Sequence, residues 1–278
     1  MDGPFDSAWI KWGGAVRHAN ALKASVNAYL AQFHSQGKGA LRREYDAKHH
    51  CVILYLDADV PPAPFLLSLQ LGDVLHNYRS CLDHLAWALV SRGGTPPSVL
   101  GDKARSVYFP IYTDRREFNK SLSVKLPGVS RPDIAKVRAA QPYHASGGRR
   151  MRRFHYLAIL HLLNNNDKHQ RIEPIFTMPA DAGSGVKVLG ANDCTVTRLP
   201  RTAMRYPLQP GAEVYRVYVK RTGPDPDVDM DVTVTLTPAI YERVPLFLWL
   251  DKCEEWVFRL LSGFAEPPEN LAEGLDPT

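Results

Sequence analysis

Six polar side chains able to do chemistry fall within twelve residues: Asp73, His76, Asn77, Arg79, Asp83 and His84. A neutral imidazole, with an ordinary pKa near 6.5, takes up a proton at working pH and can serve as base or acid. A guanidinium clamps the non-bridging oxygens of a phosphate with a planar fork as charge develops. Arg79 and His84 together therefore offer an anion clamp and a proton carrier. On a regular helix five residues turn through about 500°, so the two point roughly 140° apart. One straight helix does not aim both at a single phosphate. A local distortion, or an isologous two-fold partner that sets Arg79 of one chain beside His84 of the other, completes such a site. The same residues also read as a structural network, because Arg79 and Asp83 are an i,i+4 ion pair that His76 can join.

Two further groups carry chemistry. The run Asn164–His169 closes a helix, where Asn tolerates left-handed backbone and Lys168 and His169 complement the dipole. It also offers Asp167 and His169 as supports for His84 or as phosphate contacts. Arg149, Arg150, Arg152 and Arg153 make the densest positive patch, a phosphate-binding run or a solvated loop. For a metal centre the chain offers His76, Asp83, His84, His155, His161, Asp167 and His169. It lacks HExxH and the Glu/Glu-x-x-His sets of helical metal sites, so no metal is expected. There is no GxGxxG, Walker-type loop or GxSxG elbow, and no cofactor is expected.

The spacing Arg79-x4-His84 on an amphipathic helix resembles the signature of the HEPN superfamily, helical nucleases and nucleotide-binding domains common in prokaryotic toxin–antitoxin and defence systems. The resemblance covers the central helix and the helical content around it, not residues 174–240. It implies a metal-independent endoribonuclease with Arg79 and His84 catalytic, supported by His76, Asn77, Asp83, Asp167 and His169. It further implies a homodimer with a composite site, RNA as substrate, and an antitoxin or other protein partner. Two other readings stand beside it: a non-catalytic binding or scaffold protein with a structural Arg/His/Asp network, and a His/Asp metal-dependent hydrolase.

The elements that must position these residues follow from hydrophobic spacing. Leu71, Leu75, Tyr78, Leu82, Leu85 and Leu89 recur every three or four residues, a stripe about 80° wide on a helix spanning Leu66–Arg92. Asp6 or Ser7 caps a first helix reaching about Gln36, with Trp9, Trp12, Val16 and Leu22 on its stripe. Leu41–Tyr45 and His50–Leu56 read as a hairpin, the latter holding the apolar run CVILYL. Val107–Tyr112 reads as extended. Asp114 caps a short helix to about Leu122, Arg131–Ala140 is another, and a helix runs from about Met151 to Asn165 behind the basic loop. Alternating segments between Val186 and Thr237 predict a small antiparallel sheet, and Pro245–Phe264 returns to a helix that packs back on the core.

The expectation is an α+β protein: a helical-bundle core with a small N-terminal hairpin and an inserted antiparallel sheet near the C-terminus. Residues 1–173 form the helical core, 174–241 the β insertion, 242–264 the closing helix and 265–278 a frayed tail. At 278 residues and 45% hydrophobic content a large core is available. The net charge of +5 permits a nucleic-acid partner without demanding one. Four scattered cysteines without CxxC fit buried, reduced thiols and a cytoplasmic setting. No apolar run reaches the roughly 20 residues of a membrane span, so no membrane partner is expected.

Overall fold

Helix α2 (Phe65–Arg92) is the predicted central helix. Its whole seam from Leu71 to Leu89 is fully buried, and so are Val74, Cys81, Ala86 and Val90. These smaller side chains widen the buried face beyond the leucine stripe, so α2 is enclosed over more than half its circumference. Truncating Leu75 or Leu82 there costs roughly 2–5 kcal/mol in lost burial and cavity formation.

The computed structural model describes residues 3–35, 41–56, 64–94, 97–167, 175–177, 194–197, 211, 213–219, 237–240 and 244–268. The fold is α+β with a helical core. It divides into two units, one made of Met1–Lys23, Phe65–Ile172 and Phe247–Thr278, the other of Ala24–Pro64 and Glu173–Leu246.

In the first unit α2 is joined by the N-terminal part of α1 (Asp6–Ser35), α3 (Pro97–Leu100), α4 (Arg115–Lys125), α5 (Arg131–Ala139), α6 (Gly148–Arg153), α7 (Tyr156–Asp167) and α8 (Leu246–Ser262). α7 runs against α2 and buries Leu157, Ile159, Leu160 and Leu163. The closing helix returns to the core as expected: Phe258 of α8 meets the rings of Trp9 and Trp12 at 5.5 and 5.2 Å. Trp12 Nε1 also donates to the carbonyl of Glu254. Asp114 caps α4 through the amides of Arg116 and Glu117, and α4 extends past Leu122 to Lys125.

The predicted Met151–Asn165 helix is two helices. The basic run is itself helical (α6), and the chain breaks at Phe154–His155 before α7 begins. The break has a local cause: His155 Nδ1 accepts a hydrogen bond from the Leu157 amide at 3.3 Å, capping α7 and competing with continued helix. An acceptor nitrogen must be unprotonated, and burial pushes the His155 pKa down to about 4.

The second unit is largely sheet. β1 (Leu41–Asp46) and β2 (Cys51–Leu56) form the expected hairpin, turning where Asp46 accepts from the amides of Lys48 and His49. This hairpin is not separate from the later strands. β2 pairs with β5 (Glu213–Val219), which pairs with β4 (Cys194–Thr197), giving one antiparallel sheet of order β1-β2-β5-β4. Cys51, Val52, Ile53 and Leu54 are all buried, so both faces of β2 are covered, as its unbroken apolar run foretells. β3 (Ile175–Thr177), β6 (Thr237–Ile240) and β7 (Val244–Pro245) make a second antiparallel sheet. Of the alternating segments expected between Val186 and Thr237, residues 186–189 and most of 228–237 lie outside the described residues, as does most of the tail.

Cys51, Cys81 and Cys253 are buried free thiols, and burial pushes the latter two well above the usual thiol range. Among the described residues no helix is long and apolar enough to cross a membrane.

Candidate functional site

The polar flank of α2 opens on a cleft of about 550 Å³, lined by His76, Arg79, Ser80, Asp83, His84 and Trp87 of α2 and Asn164 of α7. Arg79 and His84 thus share one cleft within one chain on an unbroken helix. They stand on its opposite walls, with Ser80 and Asp83 between them in helical order, as the roughly 140° offset requires.

Arg79 is only 8% exposed, and its fork is spoken for. Nε and Nη2 reach the two carboxylate oxygens of Asp83 at 3.2 and 2.8 Å, and Nη2 also donates to the carbonyl of Phe109 at 2.8 Å. Asp83 Oδ1 accepts the Phe109 amide at 3.0 Å in turn. The ion pair therefore satisfies both backbone groups of Phe109, as a neighbouring strand would. Gln141 does the same further along the segment. Its Nε2 donates to the carbonyls of Pro110 and Val137, and its Oε1 accepts the Tyr112 amide at 3.0 Å. Extended segment 107–112 is held by side chains instead of a sheet. Arg79 Nη1 remains, shielded from solvent and without a partner among the described residues.

His84 is half-buried, and its pKa is lowered by burial first and by the charge of Lys11 second, with Asp83 opposing. Both causes disfavour the charged imidazolium relative to the neutral ring. Lys11, on α1, makes no ion pair among the described residues, and its positive charge acts on His84.

The cleft continues on both sides. Past Arg79, a cavity of about 580 Å³ is walled by Trp87 and Asn164, together with Arg105, Val107, Tyr108, His161 and Asn165. Lys125 Nζ lies 3.4 Å from the centre of the Tyr108 ring, and the Arg79 guanidinium 5.6 Å from it. Past His76, a cavity of about 480 Å³ is lined by Phe65, Ser68, Leu69, Gly72, Asp73 and Asp167. Burial and the nearby Asp73 charge raise the Asp167 pKa, while His76 opposes. Gly72 permits this approach, for a Cβ there would stand 2.9 Å from Asp167 Oδ2.

Of the other residues singled out in the sequence, Asn77 turns from the cleft. Its Nδ2 donates to the Asp73 carbonyl, and its Oδ1 lies against Gly14 of α1. Arg149, Arg150 and Arg153 are exposed on α6 and Arg152 is half-buried near Asp114; none lines the cleft. Lys168 and His169 lie outside the described residues. Among the described residues no group of three or more His, Cys, Asp or Glu side chains could hold a metal ion. Sequence reasoning passed over Lys11, Ser80, Trp87 and Arg105, and read Asn164 only as part of a helix-closing run. Ser80 and Trp87 could have been placed from the helical phase of Asp83; Lys11 and Arg105 have no local signal. No family model matches the chain, and no curated protein or solved structure shows significant similarity to it.

Proposed function

We propose that the protein is a metal-independent, HEPN-like endoribonuclease in which His84 moves the proton. The observation that carries this reading is the cleft shared by His84 and Arg79, with the Lys11 charge acting on His84. His84 takes the proton of a ribose 2′-hydroxyl, and O2′ attacks the adjacent phosphorus. The bond from phosphorus to O5′ breaks, and the departing oxygen takes its proton from water in the open cleft. The products are a 2′,3′-cyclic phosphate and a 5′-hydroxyl. Lys11 offsets charge developing on the phosphate. Arg79, engaged with Asp83 and Phe109 and with Nη1 shielded from solvent, holds the wall. The reading carries with it a cytoplasmic site of action, a toxin or phage-defence role, a two-fold dimer and an antitoxin or similar protein partner.

A non-catalytic binding protein is the second reading, favoured by the closed network of Arg79, Asp83 and Phe109. One experiment separates them. An RNA panel is incubated in EDTA with wild type and with His84→Ala, each checked by circular dichroism and light scattering. The ribonuclease reading expects cyclic-phosphate ends from wild type and at least about a hundredfold loss in a folded variant. Absence of cleavage across the panel sinks it, and activity only with added metal replaces it with the metal hydrolase.

A further inference from the structure

The cavity beyond Arg79 carries no role so far, and its chemistry is specific. Its one acid, Asp83, is already matched by Arg79. Arg105 is exposed and makes no ion pair among the described residues, and Lys125 rests on the Tyr108 ring. Tyr108 already carries Lys125 and the Arg79 guanidinium, so its ring is occupied. Trp87 is half-buried, lines both this cavity and the His84 lobe, and has no ring contact among the described residues. Asn164 and Asn165 add amide donors and acceptors. On the wall shared with the His84 lobe stands Arg79, its side chain 9% exposed and its Nη1 unspent. The cavity on the other side of the His84 lobe holds Asp73 and Asp167 and repels phosphate. Of the two flanking cavities described, the one with Arg105 carries the charge that suits a phosphate-bearing chain.

We propose that this cavity is a nucleotide subsite, in which Trp87 stacks the base and Arg105 holds the phosphate. The inference rests on the ribonuclease reading for its place beside the scissile bond, but binding can be tested without cleavage. Base stacking on an aromatic ring is tolerant of base identity, while a cation beside it demands an anion. A volume of about 580 Å³ lies in the range of small-ligand sites.

The test is tryptophan fluorescence of the full chain titrated with adenosine 3′-monophosphate, adenosine and inorganic phosphate. The expected result is a saturable quench by the nucleotide that disappears in Trp87→Phe. Arg105→Ala, a change at an exposed position, weakens nucleotide binding by about tenfold or more. Adenosine loses a comparable factor, and phosphate alone gives no quench. A quench that survives in Trp87→Phe, equal affinity in Arg105→Ala, or no saturation by about 10 mM nucleotide overturns the subsite. The two readings fail separately. Nucleotide binding without RNA cleavage removes the ribonuclease and keeps the subsite. Cleavage at wild-type rate by Arg105→Ala, with no nucleotide binding, does the reverse.

Discussion

On one wall of the cleft Arg79 and Asp83 join each other and Phe109 through four hydrogen bonds; on the opposite wall His84 is set in no comparable network among the described residues. Both residues come from the same helix, five positions apart, yet their surroundings assign them different work. A guanidinium locked to a carboxylate and a backbone carbonyl fixes a segment that has no strand to lean on. A half-buried imidazole under the charge of a lysine has its basicity lowered. Spacing on one helix does not give two residues the same job; their partners do.

The sharpest way to break this contrast is to test stability on the network side. Asp83→Ala leaves the Arg79 charge and the Phe109 amide without their partner and should cost about 2–4 kcal/mol in urea unfolding. A loss under about 0.5 kcal/mol would show that the pair is not holding segment 107–112. Gln141→Leu, which orphans the Tyr112 amide and the Pro110 carbonyl, should cost about 2 kcal/mol by the same assay. His84→Gln, in contrast, should stay within about 0.5 kcal/mol of wild type.

Acidity sharpens the comparison further. Because the folded pKa of His84 lies below 6.5, the activity assigned to it should reach half its maximum below pH 6.5. Lys11→Gln removes the second cause of that shift and should move the midpoint upward, though not fully to 6.5, since burial remains. An unmoved midpoint would take Lys11 out of the site. His155 tests the same physics for stability. Its folded pKa of about 4 lies below the 6.5 of the unfolded chain. Its contribution is therefore complete above pH 6.5 and is lost as pH falls from 6.5 toward 4. His155→Asn keeps a helix-capping acceptor without the titration and should flatten that part of the pH–stability curve.

Much of the fold was legible because it depends on local spacing. The α2 seam, the Asp114 cap, the apolar β2 run and the return of α8 follow from periodicity and capping chemistry. The Arg79–Asp83 pair was legible too, since i,i+4 neighbours meet on any helix. What escaped was non-local or hidden in side-chain competition. Nothing near Gln141 announces that its amide replaces a strand for Pro110 and Tyr112. The break at His155 is invisible to hydrophobic spacing, because Met151–Asn165 keeps a helical pattern across it. The joining of β1 and β2 to β4 and β5 pairs segments more than 130 residues apart, beyond the reach of alternation. The basic run drew attention through charge density alone, and charge density does not say which cavity a side chain lines.

The three buried thiols give the molecule a built-in clock. Cys81 and Cys253 belong to the helical unit and Cys51 to the sheet unit, all without accessible surface. An alkylating reagent reaches such a sulfur only when the surrounding structure opens. Labelling rates resolved peptide by peptide therefore time the opening of each unit separately in the unmutated chain. Equal rates for Cys51 and Cys253 mean that the chain opens as one cooperative body, and a faster Cys51 means that the sheet opens while the helices stay closed.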